Sequence, residues 1–267
     1  MTALSVILPT FNEAENIQQM IDAVYGVLTD IDAEVIVVDD ESPDGTSEVV
    51  DRILNRYRKL RLITRRSNKG LVNSIKEGVK SSRGSICLWM DADLSMPTDK
   101  IPDLLNQIKE GADLAVGSRY IKGGGIKGSA QHPGKHNIIH VWDNLRKSED
   151  SFFAVAISKY GNLVARLILD RRYYDYTSGY YAVRREVIDE LGLEGDYLDY
   201  CIVLLYKAAR YGYSISEIPV TIKPRLYGKS KTSNNPVSVI PIALNCLRKI
   251  IKLKLTVRRR IKNHDKM

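Results

Sequence analysis

Short apolar runs alternate with amphipathic stretches through the first 120 positions of the chain. Leu4–Thr10, Glu34–Asp40, Leu60–Arg65, Ser85–Met90 and Asp113–Tyr120 read as strands. Between the first two, Ile17, Met20, Ile21, Val24 and Leu28 recur at helical spacing. Further helices are expected over Ser47–Tyr57, Leu71–Ser82 and Thr98–Gly111. Asp44 or Thr46 is available to cap the second helix, and Thr98 the fourth. Strands with so little polar alternation are buried on both faces. The βα repetition therefore specifies an α/β fold with a parallel sheet, helices on both sides and right-handed crossovers.

In such sheets ligands sit beyond the carboxyl ends of the strands, near a switch in strand order. Here the segments at those ends are polar: PTFNE, VVDDESPDGT, MDADLS and VGSRY. The third carries Asp91 and Asp93 with no neighbouring Lys or Arg. In extended chain these two project to the same side, where a hard divalent cation could take both carboxylates plus phosphate oxygens. Alone, a D-x-D of this kind only solvates a turn; its place among three other polar strand ends favours a site. Asp40, after the second strand, is placed to accept hydrogen bonds from a base or ribose. The first strand lacks G-x-G-x-x-G, which disfavours dinucleotide binding.

The chain has 267 residues, 44% of them hydrophobic, enough to bury a core. No apolar run approaches the ~20 residues of a membrane span. Cys87, Cys201 and Cys246 have no metal-ligand spacing and read as reduced thiols. With a start that passes straight into a strand, this points to a cytoplasmic location. From Arg248 onward there are nine Lys/Arg and one Asp, which accounts for the whole net charge of +8. The basicity belongs to one end of the chain.

Beyond Ile121 the pattern changes. A Gly-rich polar stretch leads to an apolar helix candidate over Ser151–Leu169, a buried helix over Leu198–Tyr213, a strand over Ser214–Ile222 and an amphipathic helix over Asn235–Leu255. His132, His136 and His140 would share a helical face and could bind metal, but Pro133 and Gly134 interrupt that helix, so a solvated loop or a lid is expected.

LPTFNEAENI, VVDDESPDGT, NKGLVNSIKEGVKSSRG, MDADLS, VGSRYIKGGGI, DYTSGYYAVRREV, EIPV and RLYGKSK occur in that order over Ala3–Ser233. Together they resemble the family-2 glycosyltransferases of GT-A fold, specifically dolichol-phosphate mannosyltransferases and their polyprenyl-phosphate relatives. The resemblance implies a catalytic domain over 1–235, with a nucleotide-sugar half (1–120) and an acceptor half (121–235) carrying an inserted loop at about 130–153. Residues 236–267 follow as a basic helix and tail. It implies a nucleotide-sugar pocket of Pro9, Phe11, Glu13, Val38, Asp40, Asp91, Ala92, Asp93, Arg119, Arg225 and Lys231. Asp91, Asp93 and Arg119 would be catalytic, and Asp91 and Asp93 would hold Mg²⁺ or Mn²⁺. Arg119, Arg225 and Lys231 would contact phosphate. The reaction implied is transfer of a hexose, mannose from GDP-mannose, to dolichyl or polyisoprenyl phosphate with inversion.

The sequence departs from that pattern in places. Phe11 stands for a usual Tyr, Tyr181 for an Arg, and Cys201 and Val203 for Gln and Glu near the sugar or acceptor. These changes keep open a UDP-glucose-dependent glucosyltransferase. They also leave a hydroxyl-directed enzyme, for which Asp196 or Asp199 would be the base, and a non-catalytic nucleotide-sugar-binding subunit. The basic end suits an anionic membrane surface, and the expected partners there are the membrane and a membrane partner subunit. No fold for nucleic-acid recognition surrounds it.

Overall fold

The computed structural model describes residues 3–126, 152–223, 225 and 236–257. Seven strands make one sheet: β1 (Leu4–Thr10), β2 (Ala33–Asp39), β3 (Leu60–Thr64), β4 (Ile86–Trp89), β5 (Leu114–Ser118), β6 (Tyr181–Arg184) and β7 (Ile215–Pro219). Their spatial order is β3-β2-β1-β4-β6-β5-β7. Pairing is parallel for β1 with β2 and β4, β2 with β3, and β5 with β7. β6 runs antiparallel to both its neighbours, β4 and β5. The parallel sheet expected from the βα repeat is thus mostly parallel. Since β6 inserts between β4 and β5, the two expected halves share one sheet.

The helices are α1 (Ile17–Val27), α2 (Thr46–Ile53), α3 (Leu71–Ser81), α4 (Ile101–Lys109), α5 (Phe152–Ile168), α6 (Arg185–Leu191), α7 (Asp199–Tyr211) and α8 (Pro236–Thr256). Successive strand residues point to opposite faces. Val6, Leu8, Val35, Val37 and Leu88 therefore join α1, α2 and α4 in one buried layer. Ile7, Ile36, Val38, Cys87 and Trp89 join α3 and α5–α8 in the other. Fully burying a side chain of this size contributes roughly 1.5–3 kcal/mol.

Two caps differ in detail from expectation. Asp44 Oδ1 accepts from both the Thr46 N–H and the Thr46 hydroxyl, so it serves the start of α2. Thr98 does not cap α4: it begins a 3₁₀ turn, Thr98–Lys100, ahead of that helix.

The helix expected as a tail element packs on the domain. α8 lies against α5 and α7, with Ile250 and Leu253 buried. Lys249 of α8 pairs with buried Asp199 at the start of α7. Burial works against the Asp199 charge, but Lys249 and the Tyr197 and Asp196 N–H groups outweigh it, holding its carboxyl below the usual range. The stabilisation is therefore fully present above the ordinary carboxylate pKa of about 4 and is lost as pH falls through the lower folded value. Protection factors of α8 amides, with exchange corrected for its intrinsic pH dependence, should hold from pH 7 to 5 and fall below about 4. Protection that is flat across this range would show that the pair does not hold the helix.

Candidate active site

The strand order turns at β1. β2 and β3 lie to one side of it, and the chain then crosses to β4 on the other. A cavity of about 700 Å³ opens beyond the carboxyl ends of β1, β2, β4 and β5. Pro9, Phe11, Glu13, Asp40, Asp91, Ala92, Asp93, Arg119 and Arg225 all line it. One expected residue does not. Val38 is fully buried in the core, where a Cβ on Gly78 of α3 would come within 3.2 Å of its Cγ2. Lys231 lies outside the described residues, as do the three histidines, most of the inserted loop and positions 258–267.

The two aspartates after β4 reach the cavity through a bend rather than an extended run. β4 stops at Trp89, and Leu94 takes a positive φ of 62°. The Asp91 N–H meets Met96 Sδ at 3.4 Å, and Asp93 Oδ1 accepts the Ser95 N–H at 3.0 Å. Asp93 does have a cation: Arg225 Nη2 pairs with its Oδ2 at 2.9 Å. Arg225 Nη1 reaches Glu13 Oε1 at 3.2 Å. Glu13 also accepts from Asn16 Nδ2 at 2.8 Å. Arg225 thereby ties the end of β1 to the end of β4 across the cavity.

Asp40 is buried and fully engaged. It accepts from Arg65 Nη1 at 2.7 Å, Ser74 Oγ at 2.8 Å and the Gly70 N–H at 2.5 Å. Beside it, Lys69 brings a further cation to the cavity and pairs with Glu41 at 2.9 Å.

Arg119 follows β5. Its Nε and Nη2 each donate to the fully buried Asp175 carboxylate at 2.7 Å, and its backbone N–H donates to the same group at 3.0 Å. Nη2 also meets Thr177 Oγ1 at 2.8 Å. Burial opposes the Arg119 charge, yet Asp175 outweighs it and holds the guanidinium pKa above its usual range. Glu217 of β7 accepts the N–H groups of Tyr174 and Asp175 and so fixes the turn that carries Asp175. Burial raises the Glu217 carboxyl. The EIPV stretch has a physical role here: it anchors the carboxylate that anchors Arg119.

The sequence did not single out Lys69, Gly70, Ser74, Thr177, Gly179 or Tyr200, which also line the cavity. Several lie inside the NKGLVNS and DYTSG stretches, and those stretches were the available signal. Tyr181, at the position where an Arg was expected, is fully buried in β6 with its ring 5.5 Å from that of Trp89. Cys201 lines the cavity, and burial raises its thiol so that it stays protonated. Val203 is in the core.

Among the described residues, no three His, Cys, Asp or Glu side chains gather to hold a metal ion. Two cavity carboxylates, Asp91 and Asp93, offer oxygen donors only. That set suits a hard cation whose remaining ligands come from phosphate oxygens and water.

The mostly parallel sheet, with an acid- and arginine-lined crevice at its switch point, has the GT-A arrangement. Solved structures of glucosyl-3-phosphoglycerate synthase from Mycobacterium tuberculosis share that fold. The complex with UDP superposes with a TM-score of 0.65 at 17% identity, covering 98% of this chain and 82% of that one. The complex with Mg²⁺ and UDP gives 0.61 at 18% identity, covering 94% and 79%. Residues 5–192 match the family model described as Glycosyl transferase family 2, and the chain belongs to that family. It is 33% identical over 236 residues to the dolichol-phosphate mannosyltransferase of Pyrococcus furiosus, covering 88% of this chain and 60% of that protein's length. It is also 33% identical over 239 residues to the polyprenol monophosphomannose synthase of Mycolicibacterium smegmatis, covering 87% and 82%.

Proposed function

We propose that this protein transfers a hexose from a nucleotide diphosphate to a polyprenyl phosphate such as dolichyl phosphate, with mannose from GDP-mannose as the donor. The observation that carries the reading is the meeting of Asp91 and Asp93 with Arg119, Arg225 and Lys69 in one cavity at the sheet's switch point. The names of both curated relatives support the same donor sugar and acceptor class.

A phosphate acceptor is already ionised near neutral pH, so attack on the anomeric carbon with inversion needs no strong base. What remains for the protein is alignment and stabilisation of charge on the leaving diphosphate. Arg119 supplies a fixed positive charge, since Asp175 immobilises it. Arg225, on the segment after β7, would exchange its carboxylate partners for phosphate oxygens, which its planar fork suits. Asp91 and Asp93 would hold Mg²⁺ or Mn²⁺. When bound, the cation supplies Lewis-acid charge at the diphosphate.

The rival that transfers to a hydroxyl needs a base. Asp199 is already paired with Lys249, which leaves Asp196 on the cavity wall. For the phosphate acceptor, Asp196→Asn should cost less than about tenfold, whereas loss of a required base costs about 10²–10⁴-fold. The decisive test is radiolabelled transfer from GDP-mannose, UDP-glucose and related donors into extractable lipid phosphate with Mg²⁺ or Mn²⁺. The absence of lipid product from every donor would overturn the reading.

The lipid acceptor calls for a membrane surface, and α5 with α8 offers one. Tyr160, Leu163 and Leu167 on α5, with Leu247, Ile251 and Leu255 on α8, are exposed. Neither helix contains an Asp or Glu. No described helix is long and apolar enough to cross a membrane. The exposed apolar residues, with no acidic residue on either helix, support peripheral binding to anionic lipid, which we place on a cytosolic face as part of the proposal. Each basic residue near such a surface contributes about 1 kcal/mol. Replacing exposed Arg248 and Lys252 by Gln should therefore lower partitioning onto phosphatidylserine vesicles about 30-fold at low salt. Unchanged sedimentation with vesicles would remove this surface from consideration.

A further inference from the structure

Arg119 and Thr177 are neighbours on the cavity wall. A guanidinium has five N–H donors and no acceptor. Three of the Arg119 hydrogens are used inside the protein. Nε and Nη2 each give one to the Asp175 carboxylate, and Nη2 gives its other to Thr177 Oγ1 at 2.8 Å. Among the described residues, neither hydrogen on Nη1 meets an acceptor. The buried Asp175 thus holds the fork from one side and leaves Nη1 as the edge with donors to spare.

Thr177 is held between two donors. Its Oγ1 accepts from Arg119 Nη2 and, at 2.7 Å, from Asn162 Nδ2 on α5. Asn162 is buried, and its partners fix which way its amide points. Its Oδ1 takes the Tyr176 N–H at 2.6 Å, and a backbone N–H can only donate. Its Nδ2 also donates to the Ser158 carbonyl at 2.8 Å, which can only accept. A threonine hydroxyl has two lone pairs and one hydrogen. Both lone pairs are taken by groups that only donate, so the hydrogen turns away from Arg119 and from Asn162. No described residue accepts it. Asp175 and Asn162 close the protein side, and the open side is the cavity that Thr177 lines.

We propose that Thr177 is a phosphate-binding residue, whose hydroxyl donates to a phosphate group that Arg119 Nη1 also contacts. This rests on the nucleotide-sugar reading above. Adjacent donors without acceptors of their own select a ligand that only accepts. An ionised phosphate does so through several oxygens, and its charge strengthens each bond. The leaving diphosphate and the acceptor phosphate offer this same chemistry, and the experiment below tells them apart.

Three variants of the full chain test it. Thr177→Val removes the hydroxyl at nearly constant volume, and Thr177→Ser keeps it. Asn162→Ala loosens the same turn from behind the wall and leaves the hydroxyl in place. Titration calorimetry with Mn²⁺ measures GDP binding, and initial rates give KM for a short-chain polyprenyl phosphate. Thr177→Val should weaken at least one of these by about tenfold or more, with Thr177→Ser within about threefold of the wild type on both. Lost GDP affinity assigns the hydroxyl to the leaving diphosphate. A raised acceptor KM with unchanged GDP affinity assigns it to the acceptor. Asn162→Ala should lower the urea midpoint yet move the same constant by less than about threefold. If Thr177→Val leaves both constants within about twofold, or if Asn162→Ala matches its loss, Thr177 only braces Arg119. The proposal then fails while the nucleotide-sugar reading stands. If the wild type neither binds GDP nor transfers to the lipid phosphate, that reading falls and the proposal with it.

Discussion

Asp93→Asn should lower hexose transfer by about 10²–10³-fold while leaving the fold in place. Asparagine keeps the size of the side chain and an oxygen to accept the Ser95 N–H, which Asp93 accepts at 3.0 Å. It gives up the charge that meets Arg225 at 2.9 Å. Arg225 keeps Glu13 as a partner and is partly exposed, so the unfolding midpoint should move by no more than about 1 kcal/mol equivalent. The lost activity would then have one of two causes: a missing cation ligand or a displaced Arg225. Arg225→Met separates them, because it removes the same ion pair from the other end. The expected pattern is asymmetric. Asp93→Asn loses its response to added Mn²⁺, read as rate against metal concentration, and Arg225→Met keeps that response with a raised KM for donor. Equal losses with intact metal response in both would show that the ion pair, and not cation binding at Asp93, is what matters.

That ion pair also marks where sequence reading stops. Strand ends, helix periods and the D-x-D are local signals, and they placed β1–β5, α1, α3 and Asp91 and Asp93 near their observed positions. Arg225 is remote in sequence from Asp93, so the pairing depends on how the segment after β7 folds back. Lys223 N–H bonds the Ser95 carbonyl at 2.9 Å and brings that segment over the cavity. β6 was illegible for a similar reason. Its four residues, YAVR, run directly into α6 with no turn residue between, and only pairing with β4 and β5 makes them a strand. Val38 is placed in the pocket by the family resemblance alone, which carries position along the chain and not depth. It faces the same side of the sheet as Asp40, but two residues deeper, about 6–7 Å inside, where α3 covers it.

Asp175→Asn should produce the largest loss of stability at the site, about 3–5 kcal/mol, a large share of the 5–15 kcal/mol typical of a folded chain. Asp175 is fully buried, and the Arg119 side chain is only 17% exposed. Removing the carboxylate charge leaves a guanidinium inside the protein with Thr177 Oγ1 and a neutral amide in place of a charged partner. Breaking one side of a buried pair costs far more than deleting both sides. Arg119→Met combined with Asp175→Asn should therefore recover most of the lost stability in urea unfolding, since no bare charge remains. It should not recover activity, because the fixed positive charge on the cavity wall is gone. A double variant as unstable as Asp175→Asn alone would show that packing of the 174–178 turn, rather than an orphaned charge, sets the cost. Arg119→Met alone supplies the other half. If it unfolds early yet transfers hexose at the wild-type rate, Arg119 braces the turn and takes no part in the reaction. If it loses transfer by about 10²-fold or more with ordinary stability, the buried Asp175–Arg119 pair is maintained for the chemistry it presents to the cavity.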